Sequence, residues 1–149
     1  MSNTTFEDEL AVNGRIIYAN TGNSMRPLIR QGRDLMIIER RPDVRLRRLD
    51  VVLYKSNGKY VLHRILKVRE NDYVICGDNC IRKEYGIKES QIIGILTGII
   101  RDGREIKTGD LSYRIYSHIW SDFFHVRKLI KIGFLFVGKI RIKLFVILN

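Results

Sequence analysis

Three short segments of the chain carry side chains suited to covalent chemistry: Gly22-Asn23-Ser24-Met25-Arg26-Pro27, Leu62-His63-Arg64 and Gly77-Asp78-Asn79. A serine hydroxyl is a weak nucleophile at neutral pH, so Ser24 in its Gly/Pro-punctuated turn becomes reactive only if a base can reach it. His63 is the candidate base, because an imidazole titrates near 6.5 and can take a proton at neutral pH with little adjustment. The two lie far apart in the chain, so only folding can bring them together. Attack on a carbonyl also needs donors for the developing oxyanion, and the Ser24 backbone N–H is the first of these.

The elements that must position these groups read as strands. From Gly14 to about Thr108, short β-branched runs alternate with turn residues, at Arg15-Ala19, Asp34-Glu39, Asp50-Lys55, Lys59-Val68, Asp72-Cys76, Gln91-Arg101 and Glu105-Lys107. This is an all-β pattern. Asn57-Gly58 separates Val51-Tyr54 from Tyr60-His63, and Asn-Gly is the strongest two-residue hairpin signal because both positions tolerate positive φ. His63 is therefore expected on the return strand of a hairpin. Alternation puts it on one face with Val61 and Ile65, and Tyr60, Leu62, Leu66 and Val68 on the other. Asp102-Gly103 predicts a second hairpin. Arg64 interrupts an apolar face and is expected to pair with an acid.

Beyond Asp110, read as a helix cap, Leu111, Ile115, Ile119 and Phe123 recur at i+4, which predicts an amphipathic helix. The chain thus divides into an acidic N-terminal arm (1–13), a β domain (14–108) and a basic amphipathic C-terminal tail (109–149). The net charge is +11, with 27 basic against 16 acidic residues. Residues 111–149 hold seven of the bases against a single acid, Asp122. Basic side chains interleaved with Trp, Phe, Ile and Leu suit an anionic membrane surface better than nucleic acid. Packing on the sheet or on another subunit is the other use of such a tail. The apolar run from Leu129 to Gly138 falls well short of the roughly 18 to 20 residues of a spanning helix. His118 and His125 share a helix face but have no acidic or Cys companion in the sequence pattern, so neither a metal nor any other cofactor is expected. Cys76 and Cys80 read as free thiols.

The order of the boxes resembles the signal peptidase I family, within the superfamily that includes the LexA-like self-cleaving proteins. Ser24-Met25-Arg26-Pro27 matches the nucleophile box, Arg48-Leu49-Asp50-Val51-Val52-Leu53-Tyr54 the following strand, Leu62-His63-Arg64-Ile65 the base box and Gly77-Asp78-Asn79 the acidic box. The resemblance covers roughly residues 21 to 100. It implies a LexA-like β-sheet catalytic domain and a serine endopeptidase that cuts a preprotein or leader peptide after small side chains. His63 places the chain with the endoplasmic-reticulum and archaeal type rather than the bacterial lysine type. A lysine would have to drop from about 10.4 to near 7 to act as base, an environmental effect of about 4 kcal/mol that histidine avoids.

The resemblance further implies that Asp78 orients or charges His63, completing a catalytic set of Ser24, His63 and Asp78. The family's second acid, a few residues past the Gly-Asp-Asn, has no Asp here; Glu84, six residues after Asp78, is the candidate to serve in its place, a solvated charge beside Arg82 and Lys83 being the other reading. The family commonly has a serine two residues before the nucleophile as an oxyanion donor. Here that position is Gly22, with Thr21 or Asn23 as replacements. Met25 and Pro27, which flank the nucleophile, are assigned to substrate binding, and Met25 also suits packing under the turn. The N-terminus shows neither the basic nor the apolar region of a secretory signal, and no hydrophobic anchor precedes the β core. The expectation is a cytoplasmic protein, either soluble or bound peripherally to the inner face of the membrane. The competing expectation is a weak or inactive relative that serves as a peptide- or membrane-binding module.

Overall fold

The computed structural model describes residues 5–19, 21–129 and 131–133. It is mainly β: one antiparallel sheet of eight strands in the order β1-β2-β7-β3-β4-β5-β6, with β8 also on β7. The strands are β1 (Arg15–Ala19), β2 (Leu35–Arg40), β3 (Val51–Ser56), β4 (Lys59–Val68), β5 (Tyr73–Cys76), β6 (Glu84–Ile87), β7 (Ile92–Arg101) and β8 (Arg104–Lys107). The long β7 pairs with β2 along one edge and shares the other between β3 and β8. Asn57 and Gly58 both have positive φ, 49° and 74°, and this turn twist matches that of strands β3 and β4. Their hairpin holds Val52 opposite His63 and Val51 opposite Arg64.

Alternation along β3 feeds two hydrophobic clusters, Val51 and Leu53 entering one and Val52 and Tyr54 the other. On β4, Leu62 and Tyr60 join the first cluster, and Val61 and Ile65 the second. Val68 was expected beside Leu62 but packs with Ile65. The register of β4 on β5 shifts between Ile65 and Lys67, and one extra residue at such a bulge exchanges the faces beyond it.

The acidic arm is a helix, α1 (Phe6–Asn13). Thr5 and Asp8 form a reciprocal capping box, and Gly14 ends the helix in the left-handed region. Leu10 is buried in the first cluster, so α1 docks on the sheet instead of standing off it. The helix predicted after Asp110 is α2 (Leu111–Asp122). Asp110 occupies its cap position, but the carboxylate accepts from the Lys107 N–H behind it rather than from the first turn. Helical backbone resumes at 124–129. α2 packs on the β domain through buried Tyr113 and Ser117. Its other side leaves Leu111, Ile115 and Ile119 exposed, and Phe123, Val126 and Leu129 beyond it are exposed as well. Most of the apolar run expected to lie at a membrane, from 134 onward, falls outside the described residues. Among the described residues no helix is long and apolar enough to cross a membrane.

Candidate active site

Ser24 sits in the long connection between β1 and β2. Three apolar side chains anchor this loop in the core: Met25 (1% exposed), Leu28 and Ile29. Buried Asp34 ties its far end to β7, accepting from the Arg30 N–H at 2.8 Å and from the Arg101 guanidinium at 2.6 Å, and Arg101 also donates to the Leu28 carbonyl. Burial works against this carboxylate's charge, but the Arg101 and Arg30 contacts outweigh it and hold the pKa below the ordinary value. The assignment of Met25 to substrate binding is thereby corrected. Its side chain is core, and that insertion fixes the Ser24 turn from below. Pro27 is exposed and lines a separate apolar hollow with Trp120, Phe123 and Val126.

The turn at Gly77 brings the nucleophile and base segments together. A Cβ on Gly77 would stand 2.6 Å from the Ser24 carbonyl oxygen and 2.9 Å from His63 Nε2. Both segments therefore press against the bare Cα of this residue, which only glycine permits. Asn79 reinforces the junction, donating from its backbone N–H to the Ser24 carbonyl at 2.7 Å and from its side chain to the Asn23 carbonyl at 3.0 Å. Ser24 and His63 line one cleft, together with Thr21 and Gly22. The Asn23 side chain is not part of that lining, and the Thr21 carbonyl accepts from Gln31 Nε2 at 2.5 Å.

His63 is buried, and its Nδ1 lies 2.9 Å from Glu84 Oε1 and 3.2 Å from the Tyr54 hydroxyl, which donates to Glu84 Oε2 at 2.9 Å. With Nδ1 facing the Glu84 carboxylate, Nε2 is the ring nitrogen left on the Gly77 side, where the Ser24 carbonyl also lies. Burial lowers the His63 pKa below 6.5, with Glu84 and then Asp78 pulling back upward. The imidazole is therefore neutral at pH 7, as a base must be.

Asp78 differs from expectation in its contacts. Its carboxylate accepts from Arg64 Nε at 2.9 Å and Nη2 at 2.8 Å, and from the Tyr116 hydroxyl at 3.0 Å. It touches His63 only through its charge. The physical reason is strand alternation: Arg64 points to the face opposite His63, is 0% exposed, and a guanidinium at that depth requires a carboxylate partner. Arg64 completes its bonding with the Leu49 carbonyl at 2.9 Å and Ser117 Oγ at 2.8 Å. Glu84, read from sequence as a supporting acid, is the one on the histidine. It reaches His63 because β6 pairs with β5 at Ile75↔Glu84.

The sequence reading missed Tyr54 and Gly77. Tyr54 could have been found from alternation, since it shares a face with Val52, the partner of His63. No local signal announces the close approach at Gly77. Cys76 and Cys80 are unbridged, and burial pushes the Cys76 thiol up to about 12, which suppresses the nucleophilic thiolate. Among the described residues, no cluster of metal-ligating side chains is present. No protein-family model matches the chain, and no curated protein is significantly similar to it.

Proposed function

We propose that this protein is a serine endopeptidase of the signal peptidase I type, built on a LexA-like sheet, with Ser24 as nucleophile and His63 as base. The observation that supports the reading is that the Ser24 carbonyl and His63 Nε2 both pack against Gly77 and that Ser24 and His63 line one cleft, with Glu84 on the far side of the imidazole. His63 Nε2 removes the Ser24 Oγ proton as the oxygen attacks the scissile carbonyl, and the imidazolium that forms is stabilised by Glu84. The Ser24 N–H receives the oxyanion. His63 then returns the proton to the leaving amine, and water releases the acyl group by the same steps in reverse. Asp78 serves this chemistry at one remove, by holding the Gly77 turn through Arg64. The substrate in this reading is a preprotein or leader peptide.

The same proposal places the enzyme on the cytoplasmic face of an anionic membrane, through the exposed apolar side of α2 and the basic residues after it. Exposed Lys128 supplies charge there, and a cation beside an apolar strip suits the headgroup region. Mass spectrometry of a peptide library incubated with wild type, Ser24→Ala and His63→Ala in the presence of lipid tests the chemistry. Cleavage by wild type and by neither variant is the expected result. Silence of all three on substrates that a related active enzyme cuts would replace the proposal with a peptide-binding module on a peptidase-like sheet. Flotation on vesicles of phosphatidylglycerol, absent with neutral vesicles, is expected for the membrane part.

A further inference from the structure

The cleft that holds Ser24 and His63 has a volume of about 500 Å³ and continues away from them over Met36, Ile38, Leu53 and Leu62 to Tyr60, Tyr18 and Phe6. Phe6 comes from α1, outside the segment that resembles a peptidase. Its ring meets Tyr18 edge-on, centroids 4.9 Å apart, and Tyr60 at 4.8 Å. The helix that presents it is pinned twice. Leu10 is buried 2% exposed in the core, and the Glu7 carboxylate accepts from the Tyr60 hydroxyl and from Lys55 Nζ at 3.2 Å, both on the β3-β4 hairpin that carries His63. A side chain held from both sides in this way is a fixed wall.

We propose that Phe6 is a specificity-determining residue: the cleft takes an apolar side chain of an extended peptide, and the Phe6 ring sets the largest side chain that fits. The inference takes the cleft as the substrate site of the proposed peptidase, and asks of it only that it bind peptide. The floor is apolar, so a side chain seated on it is selected chiefly by shape and apolar area, with Lys59 also in the lining of the cleft. One methylene too many or too few in a closed apolar pocket changes selection by roughly 10- to 200-fold. Removing the phenyl ring from the wall therefore moves the preferred size strongly, and enlarging it moves the preference the other way.

The test uses Ser24→Ala as a non-cleaving trap and reads binding. A peptide library varied in side-chain size is presented to Ser24→Ala, Ser24→Ala/Phe6→Ala and Ser24→Ala/Phe6→Trp, and retained peptides are sequenced. The Phe6→Ala trap is expected to gain larger side chains at one position by at least about tenfold, and the Phe6→Trp trap to lose them. Phe6→Trp keeps an aromatic ring against Tyr18 and Tyr60, so it reports even if Phe6→Ala loosens α1, which thermal unfolding detects. Identical selection by all three, or retention of no peptide by any, overturns the inference. A Phe6-dependent shift in a protein whose wild type neither cleaves nor reacts with a fluorophosphonate upholds the inference while removing the peptidase reading. Cleavage by wild type with selection indifferent to Phe6 does the reverse.

Discussion

His63 and Arg64 are neighbours on β4, and each is hydrogen-bonded to a carboxylate, but the two pairs occupy different worlds. The Arg64–Asp78 pair is sealed, at 0% and 2% side-chain exposure, and ties together the Leu49 carbonyl, Ser117 and Tyr116. The His63–Glu84 pair has one member 36% exposed and opens on the cleft. The sealed pair is architecture. It fastens α2 to the Gly77-Asp78-Asn79 turn, where Trp120 and Arg127 also donate to the Asp78 carbonyl at 2.7 Å. The open pair is reachable from solvent through its glutamate. Strand alternation alone sends one residue to the cleft and the next to the sealed network.

That division predicts separable failures. The largest effect on rate belongs to the open side: Ser24→Ala or His63→Ala should cut peptide hydrolysis by about 10⁶, as removal of a nucleophile or base does in serine peptidases. Thermal unfolding of Ser24→Ala should match wild type. The largest effect on folding belongs to the sealed side. Arg64→Met leaves the Asp78 carboxylate buried without its guanidinium, and breaking a buried pair in this way costs about 3–5 kcal/mol. Denaturant titration should show that loss. Equal stability of Arg64→Met and wild type would mean the two pairs are not different in kind.

Much of this arrangement was legible in the chain because it is local. Lys59–Val68 is readable as a strand from its alternation, and Asn57-Gly58 fixes its partner. α1 was not legible. It is eight residues long and buries one of them, Leu10, so no periodicity builds up, although Thr5, Asp8 and Gly14 carry its capping signals. β6 fails for the same reason, burying only Ile87 of its four residues. The choice of acid for His63 was beyond local pattern altogether. Asp78 and Glu84 both follow β5, a neighbour of the strand that carries His63, and what separates them is that fully buried Arg64 claims Asp78.

Gly77 joins the two sides, so its substitution sharpens the contrast. In Gly77→Ala the new methyl would lie 2.6 Å from the Ser24 carbonyl oxygen, 2.9 Å from Cys80 Sγ and 2.9 Å from His63 Nε2. Something must yield, and a displacement of about 1 Å between nucleophile and base costs on the order of 10²-fold in rate. The expected signature is a fall in kcat with the Arg64–Asp78 network, and hence most of the stability, retained.

The smallest effect is also the most discriminating. Burial lowers the His63 pKa and Glu84 pulls it part of the way back, more than Asp78 does, so the proposed reaction should show an acid limb of kcat/KM below 6.5 in wild type. Glu84→Gln removes the upward pull, and the limb should move further toward acid. Because the Tyr54 hydroxyl still meets Nδ1, the plateau should fall by only about tenfold, far short of the ~10⁴-fold loss when a triad's sole orienting acid becomes an amide. Stability follows the same sign. A histidine whose folded pKa is depressed contributes stability that is present above its unfolded value and lost as pH falls through the folded one. Glu84→Gln should therefore be the more acid-sensitive protein even though its rate profile extends to lower pH. If Asp78→Asn, in its folded fraction, shifts the limb more than Glu84→Gln does, then the buried carboxylate is the partner of the base, and the separation between a chemical and an architectural face of β4 fails.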